Sequence, residues 1–222
     1  MTGTLPLIVG GEELLLHPER AAIWRRCRTV IVADTHFGKS SFFGRHGIAV
    51  PEGSDAADRA RLCGLIAASE AQRLIVLGDF LHAPLAADSR EALDLDAWAR
   101  ALAPVRISVI AGNHDRGTAR LSALIEWHER ELREPPFRFM HEASPADDLE
   151  KPFTLSGHVH PVTQFNVSSK QRLRVPVFWQ WKNGLVLPSF GAFTGGFAVR
   201  AAPGEQLFAV GPSAVAKIEQ AR

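Results

Sequence analysis

The sequence contains few of the features that mark secreted, membrane-spanning or disulfide-bonded proteins. Its two cysteines, Cys27 and Cys63, have no CxxC spacing, which favours two reduced thiols over a disulfide or a zinc site. No apolar run is long enough to cross a bilayer, and residues 1–10 contain neither the basic nor the long apolar region of a signal peptide. We therefore expect a soluble cytoplasmic protein with no membrane contact.

An excess of charge of either sign is also absent. The formal net charge is +1, so no overall electrostatic field attracts nucleic acid, and any polyanion must bind through local contacts. Apolar residues make up 46% of the chain and charged residues 22%, which is ordinary for a globular protein and argues against disorder. The length of 222 residues suits one domain over residues 1–222.

Four short apolar segments each run into polar residues. The segments 30–33, 73–77, 107–110 and 153–156 have the length of buried strands. The polar residues that follow them are Asp34 and His36, then Asp79 and His82, then Asn113, His114 and Asp115, and finally His158 and His160. Because ligands bind at the carboxyl ends of strands in open α/β sheets, we expect these side chains to converge on one metal site with Asp79 at its centre.

The intervening segments predict the rest of the fold. Apolar residues at helical spacing indicate helices over residues 55–71, with Ser54 as N-cap, and 89–101, with Leu93 and Trp98 facing inward. We also predict a helix over residues 118–130, a short helix or turn over 18–24, and a glycine-rich loop with exposed aromatics over 37–47. Strands that alternate with helices in this order imply a largely parallel sheet.

The second half of the chain is predicted to be rich in strands. Residues 137–140, 173–179, 184–188, 196–199 and 206–210 alternate with turns, and residues 4–17 resemble a strand pair with a turn at Gly10 and Gly11. A second sheet is therefore expected to pack on the first. The predicted architecture is an α/β sandwich of two sheets flanked by helices.

Seven side chains form the candidate ligand set: Asp34, His36, Asp79, Asn113, His141, His158 and His160. Carboxylate, amide and imidazole groups together suit Mn²⁺, Fe or Zn²⁺, and seven are too many for one ion but fit two ions that share a bridging carboxylate. Taken singly, His141 could be a structural histidine, Asp34 a helix cap and Asn113 a turn residue. Three further histidines, His17, His46 and His128, match no motif and are predicted to be structural.

These residues fall into five ordered motifs. They are Asp-x-His at 34–36, Gly-Asp-x-x-His at 78–82, Gly-Asn-His-Asp at 112–115, the lone His141, and Gly-His-x-His at 157–160. The set resembles the calcineurin-like metallophosphoesterase signature. All five motifs occur in the order of that signature, which chance alone rarely produces. The resemblance implies a four-layer sandwich of two mixed sheets between helices, with two divalent ions. It also implies hydrolysis by a metal-bridging hydroxide.

The resemblance also implies a role for each residue. Asp34, His36 and His160 would hold the first ion, Asn113, His141 and His158 the second, and Asp79 would bridge them. His114 would stabilise the transition state and protonate the leaving oxygen. In the phosphoprotein phosphatases of this fold an Asp that orients this histidine stands where the present chain has His82. That departure argues against the phosphatase branch and leaves the orientation of His114 open.

Residues 34–39, 78–82 and especially 185–196 are similar to the ligase-associated DNA damage response endonuclease family, a bacterial branch of the metallophosphoesterases. The similarity implies cleavage of DNA, single-stranded or flapped, with Mn²⁺ as the favoured ion and Fe or Zn²⁺ as alternatives. It also implies association with an ATP-dependent DNA ligase, a helicase and an exonuclease. The oligomeric state stays open, with a homodimer as one alternative. The rival functions are hydrolysis of cyclic or small nucleotides and, less favoured, a non-catalytic scaffold.

The candidate substrate contacts are less specific. Lys39, Arg45 and His82 could bind the substrate, or the two cations could be surface charges and His82 a packing residue. Cations lie among aromatic residues over 170–182, which suits single-stranded nucleic acid, although a hairpin with buried aromatics is favoured for Phe178 and Trp179. The run 187–196 could be a loop that faces the substrate or a tight turn.

Overall fold

The computed structural model describes residues 2–48, 53–118, 121–146, 152–166 and 172–219. Its helices are α1 Lys39–Arg45, α2 Ser54–Ala68 and α3 Arg90–Ala101, with a 3₁₀ turn at Arg25–Cys27. The strands of the first half are β1 Leu5–Val9, β2 Glu12–His17, β3 Ala21–Trp24, β4 Thr29–Val32, β5 Arg73–Leu77, β6 Arg106–Ile110 and β7 Ile125–His128. Those of the second half are β8 Glu131–Glu134, β9 Phe137–Met140, β10 Phe153–Ser156, β11 Pro161–Asn166, β12 Arg172–Trp181, β13 Gly184–Val186, β14 Phe197–Ala198, β15 Gln206–Val210 and β16 Val215–Lys217.

The first sheet contains β1 to β7 in sequence order. Strands β1 to β4 pair antiparallel, whereas β4, β5, β6 and β7 pair parallel. The alternation of strands and helices predicted the parallel pairing of β4, β5 and β6, but not that of β7. Ile31 of β4 lies opposite Ile75 of β5, which lies opposite Ser108 of β6. This register brings the carboxyl ends of the three strands to one edge of the sheet, with the end of β5 in the middle.

The second sheet is mixed. Its strand order is β14-β11-β12-β13-β10-β9-β8, and β15 pairs with β12 and β16. Strand β10 is parallel to both β9 and β13, so residues that follow β9 and β10 emerge at the same edge. The strands predicted over 137–140, 153–156 and 206–210 are present, whereas β8, β11 and β16 were not predicted.

The two sheets pack face to face, and helices cover the outer face of the first sheet. In β4, Ile31 packs with Phe139 and Phe178 of the second sheet, whereas Val30 packs on the helical side with Leu62 of α2 and Leu95 of α3. Strands buried on both faces read as continuous apolar runs, which explains the pattern of residues 30–33 and 73–77. The expected α/β sandwich of two mixed sheets with flanking helices is confirmed.

The prediction of a helix over residues 118–130 is wrong for the part of this segment that the structure describes. Residues 119 and 120 lie outside the described residues. Residues Ile125–His128 instead form β7, which pairs parallel with β6. Ile125 and Trp127 pack on the core while Glu126 between them is exposed, which is the alternation of a strand. Pairing with a neighbouring strand overrode the local helical propensity.

Two other segments differ from the prediction. The expected glycine-rich loop at 37–47 contains helix α1, and Phe37 is fully buried where exposed aromatics were expected. Residues 18–24 end in β3, whose four residues are all buried between β2 and β4. Strand β3 forms by antiparallel pairing with β2 and β4, its neighbours in the sequence.

The two long helices lie close to their predicted positions but differ in detail. Helix α2 is preceded by Gly53 in the left-handed conformation, so Ser54 is its first residue and not its N-cap. Ser89 does cap α3 and accepts a hydrogen bond from the Ala92 amide at 3.2 Å. Trp98 is buried, whereas Leu93 is 61% exposed and faces solvent, contrary to the prediction.

Among the helices of the described residues, none combines the length and the apolar character that crossing a bilayer requires.

A matched pair of leucines tests the packing of the two sheets. Leu185 of β13 is fully buried between the sheets, and Leu93 is exposed on α3. We expect Leu185→Ala to lower the free energy of unfolding by about 2–5 kcal/mol, because it leaves a cavity in the core. Leu93→Ala should change it by no more than about 0.5 kcal/mol. Urea unfolding measures both, and equal effects would contradict the described packing.

Candidate metal centre

Residues that follow five strands of both sheets meet in one cluster. Within the described residues, three groups of side chains have potential ligand atoms that lie within 4.8 Å of one another. The first group is Asp34, His36, Asp79 and His160; the second is Asp79, His141 and His158; the third is His36, His82 and His114. The convergence expected from the sequence is therefore present, although which of these atoms bind an ion stays a prediction.

The first group surrounds a point next to the end of β4. Nε2 of His160 lies 3.5 Å from Oδ1 of Asp34 and 3.4 Å from Nε2 of His36. Nε2 of His36 lies 4.0 Å from Oδ2 of Asp79. Ligands about 2.0–2.2 Å from one ion are separated from each other by roughly 3–3.5 Å, so most of this spacing suits a shared cation.

The second group lies on the other side of Asp79. Nε2 of His141 is 3.0 Å from Oδ1 of Asn113, 3.0 Å from Nδ1 of His158 and 3.6 Å from Oδ1 of Asp79. These distances again suit one shared cation. Asp79 belongs to both groups, because its Oδ2 faces His36 and its Oδ1 faces His141.

The backbone around the site is strained where predicted ligands lie. Five of these residues have positive φ angles, which are disfavoured for residues with a side chain. They are Asp34 at 52°, His36 at 48°, Asp79 at 43°, His158 at 69° and His160 at 49°. Such strain costs about 1–3 kcal/mol per residue and is concentrated at functional sites.

Two glycines allow the loops to approach each other. A Cβ added to Gly112 would lie 2.2 Å from Oδ1 of Asp79, and one added to Gly78 would lie 2.0 Å from Nδ1 of His141. Both distances are far below van der Waals contact. The glycines that precede Asp79 and Asn113 are therefore required for the ligand groups to come together.

Burial sets the charge of the cluster. It lowers the pKa of His36 to about 2, with a smaller effect from His160, so this ring is neutral at physiological pH. Neutral imidazole is the form that binds metal ions. Burial also raises the pKa of the Asp34 carboxyl, against a hydrogen bond from His160 that lowers it. The buried Asp34 carboxyl close to the neutral His36 ring gains no positive charge from that ring, and a cation would supply one.

His114 is oriented by a backbone carbonyl. Its Nδ1 lies 2.7 Å from the carbonyl oxygen of His82, and since that oxygen can only accept, Nδ1 carries the proton. The amide of His114 also donates to Oδ1 of Asp79 at 2.9 Å. The orientation that the sequence left open is thus determined by the main chain at the position where the phosphatases carry an Asp.

The His82 side chain lies beside this pair. Its ring stacks on that of His114 at 5.5 Å between centroids and is 5.8 Å from that of His36. Burial lowers the pKa of His82 to about 4, with a smaller contribution from Lys39. His82 is therefore a neutral, partly exposed group at the edge of the site.

Asp115 has a structural role that the sequence did not assign. Its carboxylate accepts hydrogen bonds from the amides of Phe80 at 3.1 Å, Leu81 at 2.9 Å and Gly112 at 2.9 Å. Burial raises its pKa against these three bonds. Asp115 ties the loop that carries Asp79 to the loop that carries Asn113. The sequence did contain a signal for this residue, because Asp115 is the fourth position of the Gly-Asn-His-Asp motif.

The predicted substrate-binding cations occupy different surroundings. Lys39 lines a cleft with His36, and its ammonium donates to the carbonyl of Phe193 at 2.7 Å. Burial lowers its pKa. Arg45 instead forms a surface ion pair with Glu91 of α3 at 2.7 Å. Lys39 thus lies at the site, whereas Arg45 has another partner.

The aromatic residues of β12 belong mainly to the core. Phe178 is fully buried, Trp181 is 5% exposed, and the indole of Trp179 donates to Glu205 at 2.8 Å. The buried alternative is therefore correct for Phe178, and base stacking on Trp181 is excluded by its burial. Arg172, Arg174 and Lys182 are exposed, and Lys170 lies outside the described residues.

The fold and the donor groups define a class of metal-dependent phosphoesterases. The chain belongs to the calcineurin-like phosphoesterase family, whose model matches residues 27–184. Members of this family use divalent metal ions. No significant match was found among curated proteins.

Among solved structures the chain is similar to the Pseudomonas putida nuclease MPE, at 32% identity and a TM-score of 0.81. That likeness covers 97% of this chain and 100% of the nuclease. It is also similar to the Escherichia coli phosphoesterase Yfce, at 16% identity and a TM-score of 0.43 over 82% of this chain and 86% of the other. This second likeness is too distant to bear on function.

Substitution of Gly112 tests how closely the loops must approach. We expect Gly112→Ala to displace the Asp79 carboxylate, destabilise the protein by about 1–3 kcal/mol and reduce bound metal after dialysis against Mn²⁺. Gly64→Ala, in an open position on α2, should leave metal content unchanged and raise stability by up to about 1 kcal/mol. Urea unfolding and elemental analysis provide the measurements. Unchanged metal content in the Gly112 variant would show that Asp79 tolerates the extra methyl group.

Proposed function

We propose that this protein is a metal-dependent phosphodiesterase that cleaves DNA through a site for two divalent cations. Membership of the phosphoesterase family supports the class of reaction. Similarity along 97% of the chain to a protein described as a nuclease supports a nucleic acid substrate. The single observation that carries the proposal is Asp79, whose two oxygens each face a separate group of candidate ligands.

The two groups suggest a division of ligands between the ions. Asp34, His36 and His160 would hold one ion, Asn113, His141 and His158 the other, and Asp79 would bridge them. The mixed oxygen and nitrogen donors favour Mn²⁺, with Fe and Zn²⁺ as alternatives. When bound, such ions lower the pKa of bound water and neutralise charge on the phosphate.

The protein itself supplies orientation and proton transfer. Because Nδ1 of His114 is held by the His82 carbonyl, Nε2 is the nitrogen left to exchange a proton with the leaving oxygen. A protonated His114 would also stabilise negative charge on the phosphate. Lys39 and the His82 ring would contact the substrate at the edge of the site, with Arg45 as a weaker candidate because Glu91 already pairs with it.

The preferred substrate is single-stranded or flapped DNA. The similarity of residues 185–196 to the ligase-associated endonucleases extends the proposal to a repair function beside an ATP-dependent ligase, a helicase and an exonuclease. Cyclic or small nucleotides are the second candidate, because a net charge of +1 provides no large basic surface for a long polyanion. Rates on single-stranded DNA, duplex DNA and cyclic nucleotides, measured on one preparation, separate the two.

The bridging role of Asp79 is tested by Asp79→Asn. We expect it to abolish Mn²⁺-dependent hydrolysis of an aryl phosphodiester, because an amide has one acceptor oxygen and no charge to share between two cations. The matched control is Asp88→Asn, at an exposed position of a turn, which should leave the rate unchanged. Full activity of the Asp79 variant would reject the bridging role.

The role of His114 in proton transfer is tested by His114→Ala. Its turnover on single-stranded DNA should fall by roughly 10²–10⁴-fold, the usual contribution of a general acid, with metal content unchanged. His17→Ala, on β2 and outside the three groups, is the control and should retain activity. Steady-state kinetics and elemental analysis give the two measurements. Loss of metal from the His114 variant would mean that this ring is a ligand instead.

A further inference from the structure

A loop at residues 189–194 lies directly against the first ligand group. The amide of Phe190 donates to the Ala33 carbonyl at 2.8 Å, and Oγ of Ser189 donates to the Asp34 carbonyl at 2.9 Å. The amide of Gly191 donates to the same Asp34 carbonyl at 3.2 Å. The main chain of the loop is therefore positioned by the same residue that is predicted to bind an ion.

Charged side chains hold the other side of this loop. The guanidinium of Arg61 lies 3.8 Å from the centroid of the Phe190 ring, donates to the Phe190 carbonyl and pairs with Asp58 at 3.1 Å. Asp58 in turn accepts from the amide of Ala192 at 2.9 Å. Arg20 adds hydrogen bonds of 3.4 Å to two more carbonyls of the loop. A partly buried network of charged side chains thus helps to determine the conformation of the loop, in addition to its own turn residues.

Phe193 is the large side chain that this loop leaves in solvent. It is 49% exposed, although Lys39 donates a hydrogen bond to its carbonyl and Oγ1 of the adjacent Thr194 lies 2.6 Å from Oγ of Ser189. Phe193 and His36 line the same cleft. Phe193 therefore lies on a hydrogen-bonded loop that lines a cleft together with His36 of the predicted metal site, and half of its side chain is exposed.

The surroundings of Phe193 differ from those of an ordinary apolar residue at the surface. Single exposed apolar side chains such as Leu93 are common and need no explanation. A loop that is hydrogen-bonded on both sides and still exposes a phenyl ring beside a site matches how proteins preorganise binding residues. A flat apolar ring next to an ammonium group offers a face for a nucleobase and a charge for its phosphate.

We propose that Phe193 stacks on a nucleobase next to the scissile phosphate, on the side of Asp34 and His36. This inference rests on the proposed cleavage of DNA and assigns a substrate-binding residue to it. In a duplex both faces of each base are already stacked, so the Phe193 ring would contact bases only in unpaired strands. Phe193 would therefore contribute to a preference for single-stranded over duplex DNA.

Removing the base from the substrate and the ring from the protein tests the contact from both sides. The substrates are a single-stranded DNA oligonucleotide and one of equal length built from abasic residues. For the wild-type protein with Mn²⁺ we expect kcat/KM to be roughly tenfold to a hundredfold lower on the abasic strand, the usual effect of one stacked base. Phe193→Ala should lose a similar factor on the base-containing strand and show little further loss on the abasic one.

Two further variants sharpen the test. Phe193→Trp keeps an aromatic face and should retain the wild-type preference for bases. Phe197→Ala removes another exposed phenyl group, 67% exposed on β14, and should behave as wild type. Unfolding of Phe193→Ala in urea should match wild type, because its ring is half exposed.

The outcomes separate the inference from the function on which it rests. If Phe193→Ala and wild type lose the same factor when the bases are removed, base stacking occurs elsewhere and the inference is overturned. If Phe193→Ala leaves the kinetics unchanged but alters the sedimentation coefficient, the ring contacts a second copy of the chain instead. If the wild-type protein cleaves an aryl diester but no DNA, the proposed substrate is wrong and the inference is overturned with it.

Discussion

The position of one carboxylate between two sets of histidines determines the rest of this site. Asp79 follows β5, which lies between the parallel strands β4 and β6 of the first sheet, whereas His141 and His158 follow the parallel strands β9 and β10 of the second. Because the sheets pack face to face, the ends of these strands meet at one edge, where Oδ2 of Asp79 faces His36 and Oδ1 faces His141. Two separate ligand groups around one shared residue follow from this geometry.

Such a cluster is unfavourable without a positive charge. Asp34 and Asp79 are almost completely buried, burial keeps the His36 ring neutral, and five of the predicted ligands have positive φ angles. Folding therefore places carboxylates in a poorly solvated environment and strains the backbone that carries them. The free energy for this comes from the two apolar cores above and below the first sheet. Divalent cations would neutralise the negative charge of these buried carboxylates.

Main-chain hydrogen bonds provide most of the orientation around the site. The Asp115 carboxylate joins two ligand loops through three amides, the His82 carbonyl orients His114, and the Asp34 carbonyl holds the loop that presents Phe193. Backbone partners are independent of side-chain identity at their own position. This explains how the chain tolerates His82 where the phosphatases of this fold carry an Asp.

The sequence by itself determined the sandwich architecture, the parallel strands β4 to β6 and the set of residues that meet at their ends. It could do so because apolar strands buried on both faces, and polar residues that follow them directly, are local patterns. Only the tertiary structure decided that residues 125–128 form a strand, that Leu93 faces solvent, that Asp115 joins two loops and that a carbonyl orients His114. These features depend on contacts between segments far apart in the chain, and no local pattern of residues records such contacts.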